Sequence, residues 1–252
     1  MISVISRVWR FFATGICFAV FGLGGLGLAI IVFPISQVMM PHNFQDRNKR
    51  IIRRGFKLFV NLMQYLGVIR FEIQGKYILE KDSSCLIVAN HPTLIDYVVI
   101  GSMLDSCNCI VKEALWSNIF LSGVVRAAGY IPNNGAVNVI ESCRQSMLSN
   151  NVLIVFPEGT RTKYNTPINL KRGAANIAVR TNSPIRIIHI ECVPSTLTKE
   201  EKWYDIPMHI PIYKLRVGEL VQMNQFIDST NNLPKAARKL TDYLQTQLST
   251  GI

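Results

Sequence analysis

The sequence predicts an α/β fold with a mixed, mostly parallel sheet flanked by helices, together with an N-terminal membrane helix and an amphipathic helix. Three observations predict it. Residues 11–33 carry no charge, residues 51–69 have apolar residues at helical spacing, and from residue 71 short apolar segments alternate with helical ones. The 252-residue chain is long enough for one sizeable core. We expect membrane-associated helices in residues 1–70 and an α/β domain in residues 71–252.

Composition excludes several classes of protein. Apolar residues make up 49% of the chain and charged residues 17%, which excludes a disordered chain. The six cysteines form no Cys-x-x-Cys pair, which argues against a disulfide scaffold or a structural zinc site. We therefore expect reduced thiols and no bound metal.

The N-terminal segment holds the apolar run and most of the positive charge. At about 1.5 Å per residue, a helix from Phe11 to Phe33 would be long enough for a hydrocarbon core of about 30 Å. The run is too long for the apolar part of a signal peptide. Residues 1–70 hold nine Lys and Arg against one acid, and beside an apolar run this charge favours an anionic membrane surface over nucleic acid. Whether the helix spans the membrane or re-enters it stays open.

Basic residues predict the side of the membrane on which the domain lies. Two precede the run, Arg7 and Arg10, and six follow it: Arg47, Lys49, Arg50, Arg53, Arg54 and Lys57. This excess places the domain on the cytoplasmic face, which would be that of the inner membrane in a bacterium.

Residues 51–69 have the pattern of an amphipathic helix. One face carries Arg53, Lys57, Asn61 and Gln64, and the other carries Ile52, Phe56, Phe59, Met63 and Leu66. A basic face opposite an apolar one predicts a helix lying in the plane of the lipid headgroups. The alternative is a helix that packs its apolar face on the core of the domain.

The glycines of the apolar run match a nucleotide-binding pattern by spacing. Gly22, Gly24 and Gly27 fit G-x-G-x-x-G, which in dinucleotide-binding proteins follows a strand and opens a helix. Here they lie within the run, where small residues let helices approach closely. A membrane-anchored, nucleotide-dependent oxidoreductase is therefore a weak alternative.

Within the domain, the patterns predict six strands and five helices. The strands are 71–75, 84–89, 107–111, 152–156, 184–191 and 212–221, and the helices are 94–104, 114–128, 136–149, 171–181 and 234–248. Polar clusters follow the strands 84–89 and 152–156. Because ligands bind beyond the carboxyl ends of strands in such sheets, these clusters could face one crevice.

The first cluster contains a candidate general base. Pro92 favours an extended His91, so His91 ends the strand turn while Asp96 lies in the first turn of the next helix. An imidazole held by a carboxylate has a fixed tautomer and suits proton transfer near neutral pH. The alternative for Asp96 is a helix cap, because Thr93-x-x-Asp96 resembles a capping box. The alternative for His91 is a loop histidine without a chemical role.

The second cluster has the chemistry of anion binding. Gly159 permits a tight turn, and the Arg161 guanidinium suits a phosphate. Glu158 could hold Arg161 or accept a hydrogen bond from a substrate hydroxyl; the alternative is a surface Glu–Arg pair. Lys171 and Arg172 add positive charge at the start of a helix. The sequence lacks H-E-x-x-H, G-x-S-x-G and P-loop patterns, which argues against zinc hydrolase, serine hydrolase and P-loop chemistry.

The segments NHPTLID (90–96) and FPEGTR (156–161) resemble the first and third blocks of the glycerolipid acyltransferases. This superfamily includes the lysophosphatidic acid (1-acylglycerol-3-phosphate) acyltransferases of phospholipid biosynthesis. The resemblance covers about residues 70–195. It implies that residues 71–252 form an acyltransferase domain.

The resemblance implies a reaction and a set of roles. His91 would remove the proton from a hydroxyl of a lysophospholipid, whose oxygen attacks the thioester of acyl-CoA or acyl carrier protein, and Asp96 would orient the imidazole. The implied substrate-binding residues are Glu158, Gly159, Thr160, Arg161, Lys171 and Arg172. No covalent acyl-enzyme, metal or other cofactor is implied. The expected partners are membrane lipids and the acyl donor, and nucleic acid is not one of them.

The sequence departs from the family pattern in the second and fourth blocks. The second block of the family commonly ends in an arginine, and residues 129–135, which stand in its place, contain none. Arg126 and Arg144 are distant substitutes. In the fourth block, residues 184–188 lack an internal proline, although Val193-Pro194 follows. Thr93 replaces a common serine. Two alternatives therefore stay open: an acyltransferase for a non-glycerophosphate lipid acceptor, and a non-catalytic lipid-binding or scaffold member held at the membrane.

Overall fold

A seven-stranded sheet forms the centre of the described part of the protein. The computed structural model describes residues 2–39, 42–111, 116–118, 122–133, 135–162, 166–227 and 232–250. The strands are β1 (Arg70–Gln74), β2 (Leu86–Ala89), β3 (Cys107–Val111), β4 (Ile131–Pro132), β5 (Val152–Val155), β6 (Ile185–Val193) and β7 (Ile212–Val221). Their order is β1-β7-β6-β2-β5-β3-β4, and every pair is parallel except β6–β7. The predicted mixed, mostly parallel sheet is confirmed.

Helices precede the sheet and cover both of its faces. In chain order they are α1 (Ile2–Gly27), a π-helical turn (Leu28–Val32), α2 (Phe33–Met39), α3 (Phe44–Tyr65), α4 (Lys76–Leu79), α5 (Asp96–Met103), α6 (Ser122–Ala127), α7 (Ala136–Leu148), α8 (Gly173–Thr181) and α9 (Leu233–Thr250). A 3-10 turn spans Met223–Gln225. Of the predicted helix 114–128, residues 114–115 and 119–121 lie outside the described residues, and Ser122–Ala127 is helical.

The two strands that carry the polar clusters are neighbours. Every residue of β2 is buried, because a parallel sheet covered on both faces favours continuous apolar strands. On one face, Ile87 and Ile154 share a core with α3 and α5; on the other, Leu86 and Leu153 share a core with α7, α8 and α9. Strands β2 and β5 pair in parallel from Leu86 opposite Leu153. Their carboxyl ends, and the clusters that follow them, therefore emerge side by side.

The N-terminal apolar helix lies beside α3 and against the α/β body. The Trp9 indole donates a hydrogen bond to the Leu66 carbonyl at 2.9 Å, and Phe21 stacks on Phe56. Farther along, Phe33 is buried in a cluster with Val125 of α6. By length and composition, Val4–Met39 qualifies as a candidate membrane span. The side that faces away from the body exposes large apolar residues, among them Val4, Ile5, Val8, Phe12, Ile16, Leu23, Ile30, Ile31 and Ile35.

Two sequence-based interpretations of this region change. The amphipathic helix is confirmed as α3, but it begins at Phe44, and its apolar residues Ile52 and Met63 are buried in the protein core. The structure thus shows the alternative, a helix that packs its apolar face on the protein core. The sequence pattern left both interpretations open because an apolar face can pack against a protein core or against lipid. The glycines Gly22 to Gly27 lie inside α1, so the strand-turn-helix that a dinucleotide site requires is not formed there.

A buried ion pair joins β6 to the turn after α4 and gives a test of the fold. The Arg186 guanidinium donates to both carboxylate oxygens of Asp82 at 2.7 Å and to the Gly218 carbonyl at 3.0 Å. We expect Asp82→Ala to lower the free energy of unfolding by about 3–5 kcal/mol, because it leaves a buried guanidinium without its carboxylate. Chemical denaturation measures this loss. In the exposed pair Lys76–Glu80, Glu80→Ala should lower the free energy of unfolding by less than about 1 kcal/mol. Equal losses in Asp82→Ala and Glu80→Ala would contradict the assignment of Asp82 and Arg186 as a buried pair.

Candidate active site

The turn between β2 and α5 is tied to the neighbouring strand at its first residue. The buried side-chain amide of Asn90 donates to the Ile190 carbonyl at 2.7 Å and accepts from the Ile190 N–H at 2.8 Å. A side chain that satisfies both backbone groups of one buried residue fixes where β2 ends. His91, Pro92 and Thr93 follow this fixed point, and Asp96 is the first residue of α5.

His91 and Asp96 form a pair at the start of α5. His91 Nδ1 lies 2.7 Å from Asp96 Oδ2; the Asp96 side chain is fully buried, and 20% of the His91 side chain is exposed. The same carboxylate accepts the Thr93 backbone N–H at 2.8 Å and the Thr93 hydroxyl at 2.6 Å. Asp96 therefore makes the predicted pair with His91. Of the capping box that was its alternative, it makes only the bond to the Thr93 N–H, because α5 begins at Asp96 and its N-cap is Ile95.

The geometry fixes the tautomer of the neutral imidazole. A carboxylate facing Nδ1 accepts a hydrogen bond from Nδ1–H, so the proton of the neutral ring lies on Nδ1 and the lone pair of Nε2 is free. Among the described residues, Nε2 has no hydrogen-bond partner. The Phe156 ring, which follows β5, stacks on the imidazole at a centroid distance of 4.1 Å and an angle of 20°. The sequence patterns predicted no role for Phe156, although it is the first residue of the segment FPEGTR.

The second cluster bonds directly to the backbone of the first. Glu158 Oε1 accepts the His91 backbone N–H at 3.0 Å and the Thr162 hydroxyl at 2.7 Å. The Thr162 backbone N–H in turn donates to the His91 carbonyl at 2.7 Å. Burial raises the pKa of the Glu158 carboxyl above its ordinary value. The hydrogen bonds that the carboxylate accepts from the Thr162 hydroxyl and the His91 N–H oppose that rise. Glu158 thus holds the turn that carries His91, a role that the sequence analysis missed, as it did that of Thr162.

Arg161 contacts the segment that follows β6. Its Nη1 donates to the carbonyls of Leu197 and Thr198, at 3.0 and 2.7 Å. Within the described ranges, no other partner of this guanidinium is found and no ion pair joins it to Glu158. The Leu197 carbonyl also accepts the N–H of Leu94, next to Thr93. Arg161 therefore has free donors beside the turn of His91.

The remaining predicted binding residues surround the turn at Gly159. Gly159 has a φ of +70°, a conformation that favours glycine, and a Cβ there would lie 3.1 Å from the Lys171 ammonium. The Lys171 backbone N–H donates to the Pro157 carbonyl at 2.8 Å, which holds this lysine next to the turn. The side chains of Thr160 and Arg172 are exposed, and Arg172 directly precedes α8. Substrate binding by these residues stays a prediction.

The two arginines considered as substitutes in the second block are engaged with other groups. Arg126 donates to the Trp116 carbonyl at 3.0 Å and lies over the Trp116 ring. Arg144 pairs with Glu141 and donates to the Arg180 carbonyl at 2.8 Å. In the part of the chain that the structure describes, no group of three or more His, Cys, Asp or Glu side chains could hold a metal ion.

Comparisons with known proteins show which family the chain resembles. Residues 70–198 match the model of the family described as Acyltransferase. The 1-acyl-sn-glycerol-3-phosphate acyltransferase alpha of Mus musculus is 28% identical over 193 residues, which cover 72% of this chain and 64% of the mouse protein. The 1-acyl-sn-glycerol-3-phosphate acyltransferase of Helicobacter pylori is 29% identical over 160 residues, which cover 61% of this chain and 62% of that protein. The chain thus spans less than two thirds of these relatives.

One solved structure has the same fold along nearly the whole chain. The crystal structure of the 1-acyl-sn-glycerophosphate (LPA) acyltransferase PlsC from Thermotoga maritima matches with a TM-score of 0.73. The match covers 99% of this chain and 95% of the other, at 19% sequence identity. At this identity the likeness supports the fold, including the N-terminal apolar helix.

Substitutions of Glu158 separate its hydrogen bonds from its charge. We expect Glu158→Ala to lower the free energy of unfolding by about 1–3 kcal/mol, because the His91 N–H loses its nearer acceptor and keeps only the Thr162 hydroxyl at 3.3 Å. Glu158→Gln keeps an acceptor oxygen and removes the charge that burial disfavours. Chemical denaturation of both variants at several pH values measures these effects.

The pH dependence has a defined sign. Because the pKa of Glu158 is raised in the folded protein, its contribution to stability is present below the unfolded pKa and is lost as the pH rises through the folded pKa. The Gln variant should therefore gain stability relative to the wild type as the pH rises from about 4 to about 7. A relative gain by the wild type over this range would contradict the burial of this charge.

Proposed function

The chain belongs to the Acyltransferase family, whose model matches residues 70–198 of its 252 residues, and we propose on this basis that it is a 1-acylglycerol-3-phosphate O-acyltransferase of phospholipid biosynthesis. The resemblance to the glycerolipid acyltransferases is thereby confirmed. The observation that carries the proposal is the buried Asp96 carboxylate at Nδ1 of His91, which leaves Nε2 free. Arg161 is joined to the same turn through the Leu197 carbonyl, which also accepts the Leu94 N–H. The names of the curated relatives support the same substrate class.

The proposed reaction is a single acyl transfer. His91 Nε2 takes the proton of the acceptor hydroxyl, and the hydroxyl oxygen attacks the thioester carbonyl of acyl-CoA or acyl carrier protein. The new C–O bond forms, the C–S bond breaks, and the proton passes from the imidazolium to the departing thiolate. Asp96 stabilises the imidazolium between these steps. No acyl-enzyme and no cofactor take part.

The acceptor phosphate would bind at the turn around Gly159. The free N–H groups of Arg161 and the ammonium of Lys171 supply positive charge at this turn. Thr160 and Arg172 are exposed near the same turn and would complete the site. Glu158, which holds the His91 backbone, keeps its second carboxylate oxygen for an acceptor hydroxyl.

Membrane association is proposed through the exposed apolar side of α1 and α2. Contacts with the body occur near both ends of this helix, at Arg10 and at Phe33. Because both ends contact one domain, we propose that the helix lies in the interface and dips into the bilayer from one side. Exposed Arg50, Arg54 and Lys57 on α3 would face anionic headgroups. The same basic charge favours the cytoplasmic face, with the acyl donor supplied from the cytoplasm.

Thioester consumption by the detergent-purified chain tests the reaction. Acyl-CoA and acyl carrier protein would each be offered with lysophosphatidate, glycerol 3-phosphate or mixed lysolipids. We expect acceptor-dependent turnover that His91→Ala lowers by about 10²–10⁴-fold, the usual contribution of a positioned base. His42→Ala replaces an exposed histidine outside the site and should leave turnover unchanged.

Two results would contradict the reaction. Retention of more than half of the wild-type rate by His91→Ala would exclude His91 as the base. Absence of turnover with every pair of substrates would favour a non-catalytic member of the fold. Turnover confined to lysolipids without a phosphomonoester would favour the alternative acceptor class.

Substitution on the exposed side of α1 tests the membrane surface. Phe12 and Ile16 are 60% and 48% exposed. We expect Phe12→Asp/Ile16→Asp to weaken binding to vesicles of anionic phospholipid by more than about tenfold, because each side chain loses about 1.5–3 kcal/mol of apolar burial. Co-sedimentation with vesicles measures it. Arg238→Asp/Lys239→Asp, on the exposed side of α9, changes the net charge more and should have little effect; a larger effect there would contradict the assigned surface.

A further inference from the structure

The segment between β6 and β7, residues 194–211 and here called the strap, connects α1 to the active-site turn. Near its start, the carbonyls of Leu197 and Thr198 accept hydrogen bonds from Arg161. Near its end, the carbonyls of Met208 and His209 accept hydrogen bonds from Arg10 of α1. One loop thus joins the predicted phosphate-binding arginine to an arginine of the apolar helix.

Arg10 is a buried cation whose contacts are made to this loop. Its side chain is 1% exposed. Nη1 donates to the His209 carbonyl at 3.0 Å and Nη2 donates to the Met208 carbonyl at 2.8 Å. Within the described ranges, no carboxylate forms an ion pair with it. Burying a guanidinium is costly, and an apolar side chain would serve a membrane anchor better. The guanidinium therefore serves the strap.

The strap is built to transmit this constraint. Glu201 accepts the Ser195 hydroxyl and the Thr198 backbone N–H, each at 3.0 Å, which braces its first turn. The Trp203 ring stacks on Phe11 of α1 at 5.7 Å. A cavity of about 20 Å³ is lined by Arg10 and also by Leu197 and Ile95, the residue before Asp96. Arg10 thus lines the same small cavity as Leu197, which accepts from Arg161, and as Ile95, which precedes Asp96.

We infer that Arg10 is a positioning residue that holds the strap so that Arg161 presents its free donors to the acceptor. The Leu197 carbonyl accepts from both Arg161 and the Leu94 N–H, so a displaced strap moves the arginine relative to the turn of His91. Arg7 supports the same end of the strap through the Ile206 carbonyl at 2.8 Å. The inference rests on the proposed role of Arg161 in binding the acceptor phosphate.

Steady-state kinetics of the full chain in detergent micelles test this role. We expect Arg10→Ala to raise the KM for the acceptor about tenfold and to leave the KM for the acyl donor within about twofold, with Arg10→Lys in between. Arg180→Ala, which removes an exposed arginine from the last turn of α8, should change neither constant. Arg161→Ala alone should raise the acceptor KM, and adding Arg10→Ala to it should change that KM less than about twofold, since both act through one contact.

Other kinetic outcomes overturn the inference. An acceptor KM unchanged in Arg10→Ala would show that the strap holds without it. An equal rise of both KM values, or effects that multiply in the double variant, would show a general loss of structure.

Limited trypsin digestion supplies a readout that needs no activity. Lys199 and Lys202 are exposed on the strap. Their cleavage should accelerate about tenfold in Arg10→Ala relative to cleavage at Lys239 of α9, and stay at the wild-type rate in Arg180→Ala. Unchanged cleavage would overturn the inference. A wild type without acceptor-dependent turnover would instead overturn the proposed function, while digestion still decides whether Arg10 holds the strap.

Discussion

The buried Asp96 carboxylate is the group on which the site depends. A charged group without water must be paired and hydrogen-bonded, and Asp96 meets this need with His91 Nδ1 and with the N–H and hydroxyl of Thr93. One side chain therefore starts α5, shapes the turn after β2 and sets the imidazole tautomer. The proposed catalytic pair and the local fold therefore depend on the same hydrogen bonds.

The second requirement is the parallel pairing of β2 with β5. It places Phe156 against the imidazole and Glu158 against the His91 backbone. Three groups thus contact His91: Phe156 packs on its ring, Glu158 accepts from its backbone N–H, and Asp96 contacts Nδ1. These contacts leave Nε2 without a hydrogen-bond partner among the described residues, and we propose that it meets the acceptor hydroxyl. The strap extends this bracing to the helix that we place in the membrane.

Sequence patterns were sufficient to predict the strands that are buried on both faces, since these strands are uninterrupted apolar runs such as Leu86–Ala89. They missed β4 and α4, whose two and four residues are too short to show a period. They predicted α3 but not what covers its apolar face. The contacts of Arg7 and Arg10 join residues 198 and 199 positions apart, and no local pattern carries that information. The pairing of His91 with Asp96 was predictable because Pro92 and the following helix restrict both.

Nitrogen NMR of histidine-labelled protein in micelles tests the central claim most directly. His91→Ala identifies the resonances of His91 among the four histidines. At a pH where the ring is neutral, the account predicts a protonated Nδ1 and an unprotonated Nε2, and loss of this preference in Asp96→Asn. A ring that carries its proton mainly on Nε2 in the wild type would contradict the assignment of His91 as the base.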